Sequence, residues 1–202
     1  MEYNENEKLR GKVEIDGIYV GNYIKPANNI NDRIDRRKVY KPNKRVVISM
    51  RERHNIKGLG ATKTKIFVLK SENIIDINRA VNKHMVKGSE IHSDENSAYD
   101  DLFTNFSHKV VNHQIEYSGL NGENNNQSES FNDRFRRLLY GQIHKVSVLY
   151  LSSYANEIAY RKDTRTWNNK KIVDDIIYRW LSKSISNEFC GYWQEIKEFL
   201  RG

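Results

Sequence analysis

The chain has 202 residues, 38% of them hydrophobic, which suits one packed domain with a helical extension. No apolar run approaches the roughly 20 residues that a membrane-spanning helix needs. A formal net charge of +8 and a sequence pI near 9.4 point to a polyanionic partner, with nucleic acid the commonest and a membrane surface the competitor.

Cys190 is the single cysteine, which excludes an internal disulfide and a cysteine-based zinc site. The lone cysteine makes a reducing cytoplasm the expected setting, and the opening MEYNENEKLRGK lacks the apolar stretch of a secretory signal.

In chain order, residues 12–20, KVEIDGIYV, alternate and are rich in β-branched side chains, which predicts a strand. Residues 21–43 carry Gly, both prolines, several Asn and many Lys and Arg, and read as a long basic loop. Strands are predicted at 45–52 and 64–69. Gly58 and Gly60 between them fit a hairpin turn better than a phosphate loop. Ile74, Ile77, Val81 and Met85 recur at helical spacing over 73–86, with Lys87-Gly88 as the stop. A short strand at 90–94, a short helix at 97–103 and a strand at 108–113 follow. The polar stretch SGLNGENNNQ then leads into a helix over 128–139. Further helices are predicted at 147–161, 170–183 and 192–200. This order suits an α/β fold with a five-stranded mixed sheet whose first three strands are antiparallel.

Three carboxylates occupy suggestive positions. Asp16 lies among Val13, Ile15, Ile18 and Val20, where an unpaired charge is costly. Asp94 ends the fourth predicted strand, and ligands gather outside strand ends in open α/β sheets. Glu129 falls in the first turn of the helix over 128–139, with Arg136 seven residues on and on the same face. Taken singly, each acid has a plain reading as a surface charge or a cap. Together they suit two-metal phosphodiester chemistry, in which hard oxygen donors hold Mg²⁺ or Mn²⁺. Arg136 would then hold a DNA phosphate.

Four ordered motifs carry a family resemblance. They are VEIDGIYVG at 13–21, GSEIHSDENSAYDDL at 88–102, VVNHQIEY at 110–117 and NNQSESFNDRFRRLLYGQIHKVS at 125–147, extended by YLSSYANEIAYR at 150–161. They resemble the DDE transposases of the ISXO-two-like (IS-fifteen-ninety-five) group. The resemblance implies an RNase H-like catalytic domain over residues 12–161, flanked by a C-terminal helical extension over 162–202.

It further implies catalytic and metal-binding roles for Asp16, Asp94 and Glu129, with Arg136 where the family often has Lys. Two Mg²⁺ or Mn²⁺ ions would be the cofactors. The partner would be double-stranded DNA, as transposon ends and target, worked on by a homo-oligomer. The third acidic position varies in the family, so Asn126 is a reserve for Glu129 and His113 a more distant one. Gly17 stands where the family usually has Glu.

The resemblance thus implies a Mg-dependent endonuclease and strand-transfer enzyme of DNA transposition. An inactive DNA-binding remnant is the alternative, because relatives usually carry a zinc ribbon before this domain. A nuclease of the same fold acting on RNA–DNA hybrids is a third reading.

Other features have plain readings. His92, His108, His113 and His144 lack metal-ligand spacing and read as structural or surface histidines. Glu157, on an apolar helix face, predicts a buried ion pair with an arginine. Trp167, Trp180 and Trp193 predict packing among the C-terminal helices. The basic loop, with Lys25, Arg33, Arg36, Arg37, Lys38, Lys41, Lys44 and Arg45, predicts phosphate contact.

Overall fold

The computed structural model describes residues 7–21, 29–33, 35, 44–56, 58–111, 125–144 and 146–182. Its first strand, β1 (Lys12–Val20), pairs antiparallel with β2 (Arg45–Arg53), which pairs antiparallel with β3 (Ala61–Leu69). Helix α1 (Ile74–His84) leads to β4 (Glu90–Ser93), parallel to β1. A 3₁₀ helix, Ser97–Thr104, precedes β5 (Ser107–Val110), parallel to β4. Helices α2 (Asn126–Leu138), α3 (Val148–Asp163) and α4 (Asn169–Ser182) follow. The sheet order is β3-β2-β1-β4-β5. Three antiparallel strands followed by two parallel ones, with helices on both faces, form the mixed α/β sheet expected of an RNase H-like fold.

β1 is the central strand, and its alternation sorts two cores. Val13 and Ile15 pack with Ile77, Val81, Tyr99 and Leu102 of α1 and the 3₁₀ helix. Ile18 on the opposite face packs with Phe131, Phe135, Leu151, Ala155 and Ile158 of α2 and α3. Each large buried side chain contributes roughly 1.5–3 kcal/mol. The even positions Glu14 and Asp16 share the face of Ile18, so two carboxylates point toward α2 from a buried strand.

Boundaries differ from the sequence expectation where long-range partners act. β3 begins at Ala61, three residues early, because its register with β2 continues past an irregularity at Glu52/Arg53 to Ala61. Gly58 and Gly60 close that hairpin with φ of 93° and 76°, which suits glycine. α2 begins at Asn126, two residues early, because the Glu14 carboxylate accepts the backbone N–H groups of Gln127 (2.6 Å) and Ser128 (3.1 Å). Asn125 makes no side-chain cap there. α3 starts where Ser147 caps it and runs to Asp163, since Asp163 Oδ1 accepts from Thr64 of β3 and lies 3.5 Å from Arg51 of β2.

The chain divides into two compact units, Met1–Arg165 and Thr166–Gly202. In the second, Lys171 stacks on the Trp167 ring at 4.0 Å, and Trp180 is 79% exposed rather than packed. Trp193, the helix expected at 192–200 and His113 lie outside the described residues. Most of the basic loop does too; of it, Lys44 lies over the Tyr19 ring at 4.1 Å. No described helix is long and apolar enough to cross a membrane.

Candidate active site where β1 meets β4

Parallel pairing brings two of the expected acids together. Glu14 is the register partner of His92, so continuing the two strands by two residues sets Asp16 beside Asp94. Asp16 Oδ1 accepts from Gly17 N at 2.7 Å and Oδ2 from Asn132 Nδ2 of α2 at 2.8 Å. Burial pushes the Asp16 carboxyl up to about 7, and the Asp94 charge pushes the same way. The hydrogen bonds from Gly17 and Asn132 oppose these effects, and Glu72 adds a smaller repulsion. Asp94, just past β4, accepts from Asn96 N at 3.2 Å, and Asn96 caps the 3₁₀ helix through Ala98 N. The turn that carries Asp94 is therefore fixed to the helix behind it.

Glu72, in the turn before α1, is a third acid that sequence reasoning missed. Its carboxylate accepts the Tyr99 hydroxyl. A Cβ on Gly17 would lie 2.7 Å from Glu72 Oε1 and 3.0 Å from Ile48 Cδ1. Glycine at position 17 thus leaves room for an acid that arrives from another segment. Burial raises the Glu72 pKa, Asp94 repulsion adds to it, and hydrogen bonds from Tyr99, Tyr19 and Asn96 oppose it. Burial and the Glu72, Asp94 and Asp16 charges all hold the Tyr99 hydroxyl in its protonated form.

Glu129 sits in the first turn of α2, half-buried, and lines an open cavity of about 280 Å³ with Asn126, Ser130, Asp133, Arg134, Arg137 and Lys162. The reserve candidate Asn126 is therefore beside it. Arg136 is exposed and pairs with Asp133 at 3.1 Å. On α2 it is Asn132, one turn further along, that touches Asp16. No group of three or more His, Cys, Asp or Glu among the described residues is arranged to hold a metal ion.

A buried polar lattice supports this face. Glu14 is fully buried; besides holding the start of α2, it pairs with Arg53, which also reaches His92 Nδ1 at 3.3 Å. His92 Nε2 lies 2.6 Å from Glu90, and His108 bonds Ser93, so both histidines are structural as expected. Arg51 donates to Gln127 O at 2.8 Å and reaches Asp163 with both side chains 1% exposed. Its long side chain therefore ties β2 to both α2 and α3. Glu157 does pair with an arginine, Arg161 at 2.6 Å, but in the open: its side chain is 46% exposed. An i, i+4 pair on one helix needs no burial to form.

The mixed sheet, with Asp16 on its central strand and Asp94 just past the strand that pairs parallel to it, defines an RNase H-like domain. The ISXO2-like transposase domain matches residues 8–163, and the chain belongs to that family. No curated protein matches it. Among solved structures, the catalytic core domain of BIV integrase is similar at 10% identity and a TM-score of 0.40, covering 84% of this chain and 97% of that one.

Proposed function

We propose that the chain is a DDE transposase that cleaves DNA and transfers the strand, using divalent metal that Asp16 and Asp94 would hold and whose ligand set Glu129 of α2, not grouped with them in this structure, would complete. The observation that carries this reading is the meeting of Asp16 and Asp94, with Asp16 pushed up to about 7 by burial and by its neighbour's charge. Two carboxylates repelling each other in a partly desolvated place are stabilised by a cation between them. The donors are hard oxygens, which suits Mg²⁺ or Mn²⁺. Asn132, 2% exposed, gives its amide to Asp16 while its own Oδ1 has no protein partner. That leaves a polar atom beside the carboxylate for water or for a ligand's hydration shell.

When bound, two such ions would activate the attacking hydroxyl and stabilise the leaving oxygen. The chain's own groups do the rest. Asn132 and Gly17 fix the two oxygens of Asp16. Asn96 fixes the Asp94 turn, and Glu72 accepts from the Tyr99 hydroxyl behind it. Glu129 would complete the second metal position from α2, whose start Glu14 anchors. Arg136 would hold a phosphate of the bound strand. Double-stranded DNA is the substrate in this reading, with two ends paired by a homo-oligomer. Supercoiled plasmid with Mg²⁺ tests it. The wild-type chain should nick, and Asp94→Asn should lose at least ~100-fold of the rate. Equal nicking by both would remove Asp94 from the mechanism.

A second reading, a DNA-binding remnant without catalysis, is favoured by one observation: Glu129 lines a cavity rich in arginine and lysine. Absence of metal-dependent nicking alongside retained DNA binding would select it.

A further inference from the structure

We propose that the cavity between α2 and α3, lined by Lys162, Ser130, Arg134 and Arg137, seats a backbone phosphate of the DNA strand. This rests on the transposase reading for the identity of the partner. Ser130, Arg134 and Arg137 stand at i, i+4 and i+7 of α2 and so share one face. Lys162 reaches across from the last turn of α3, with its ammonium 2.6 Å from Ser130 Oγ. An ammonium carries three donors, of which Ser130 accepts one.

The charges call for an anion. Burial and repulsion from Arg51, Arg134 and Arg165 push the Lys162 amine down to about 8, while the Asp163 charge opposes them. Asp163 is itself shared with Arg51. Of the two acids lining the cavity, Asp133 is engaged by Arg136. A phosphate would relieve the crowding and accept from an ammonium and guanidinium groups together. The cavity is open to solvent and includes Glu129, so a strand lying over it presents one phosphate to Lys162 while passing the proposed third acid.

Fluorescence anisotropy of a labelled duplex, with the full chain in EDTA so that cleavage plays no part, tests the site. Lys162→Gln should weaken binding about five- to tenfold near 0.1 M salt and lower the slope of log affinity against log salt by about one, equally for unrelated sequences. Arg134→Gln with Arg137→Gln should act in the same direction, and Lys162→Arg should restore affinity. Thermal melting establishes that each variant is folded. An unchanged affinity and slope in folded Lys162→Gln overturns the proposal. So does a variant that loses only its stabilisation by inorganic phosphate, which would make this a small-anion site. Failure of the catalytic reading appears elsewhere, as nicking that survives Asp94→Asn.

Discussion

The carboxylate of Glu14 on β1 holds the backbone N–H of Gln127, 113 residues away, at 2.6 Å. One fully buried side chain thereby sets where α2 begins and how it lies on the sheet. Asn132 and Glu129 inherit their positions from that contact. Glu14→Gln keeps the shape but gives up the charge at the helix start and opposite Arg53. It should cost roughly 2–3 kcal/mol, read as a lower urea midpoint at constant slope. Nicking should fall further than stability explains, since the helix is free to shift. A midpoint within about 0.5 kcal/mol of wild type would show that Glu14 is not the anchor.

The raised Asp16 carboxyl makes stability depend on pH. Its pKa goes from 3.8 to about 7 on folding, so the folded chain binds the proton more tightly than the unfolded one. Between about pH 4 and 7 this group therefore subtracts stability as pH rises. In EDTA, Asp16→Asn should gain melting temperature relative to wild type across that window. Added Mg²⁺ at pH 7.5 should raise the wild-type melting temperature and leave Asp16→Asn unmoved. Parallel pH profiles for the two proteins would contradict the desolvated, repelled carboxylate.

Gly17 and Glu72 form a steric pair. Gly17→Ala would bring its methyl to 2.7 Å from Glu72 Oε1 and 3.0 Å from Ile48 Cδ1. Glu72 must then move, loosening its hold on Tyr99, at about 1–3 kcal/mol. Combined with Glu72→Ser, the alanine should be far less damaging than alone, a coupling that a double-mutant cycle measures in urea melts. Strict additivity would mean that the two residues do not contend for the same space.

The sheet was legible because local alternation reports it: KVEIDGIYV and RVVISMRE read as strands from their own residues. Asp16 and Asp94 were legible too, one as a charge inside an apolar strand, the other at a strand end. Glu14, Glu72, Asn132 and the Arg51–Asp163 pair were not. Their roles come from partners many residues away, which no local period encodes. A signal existed for two of them. Glu14 shares its strand face with Asp16, and Arg51 directly follows the largely apolar run Val46–Met50, so each needed a partner. Nothing near Glu72 in the sequence distinguishes it from a helix-leading surface acid. The exposed Glu157–Arg161 pair and exposed Trp180 show the reverse error, where an apolar neighbourhood along a helix was read as burial.

In the proposed enzyme, Asp16 and Asp94 share a divalent cation. Crystals grown with Mn²⁺ would show this directly in the anomalous difference map. A strong peak between the two carboxylates, absent in Asp16→Asn, is the predicted result. Manganese bound elsewhere on the protein, with no peak between Asp16 and Asp94, would contradict it.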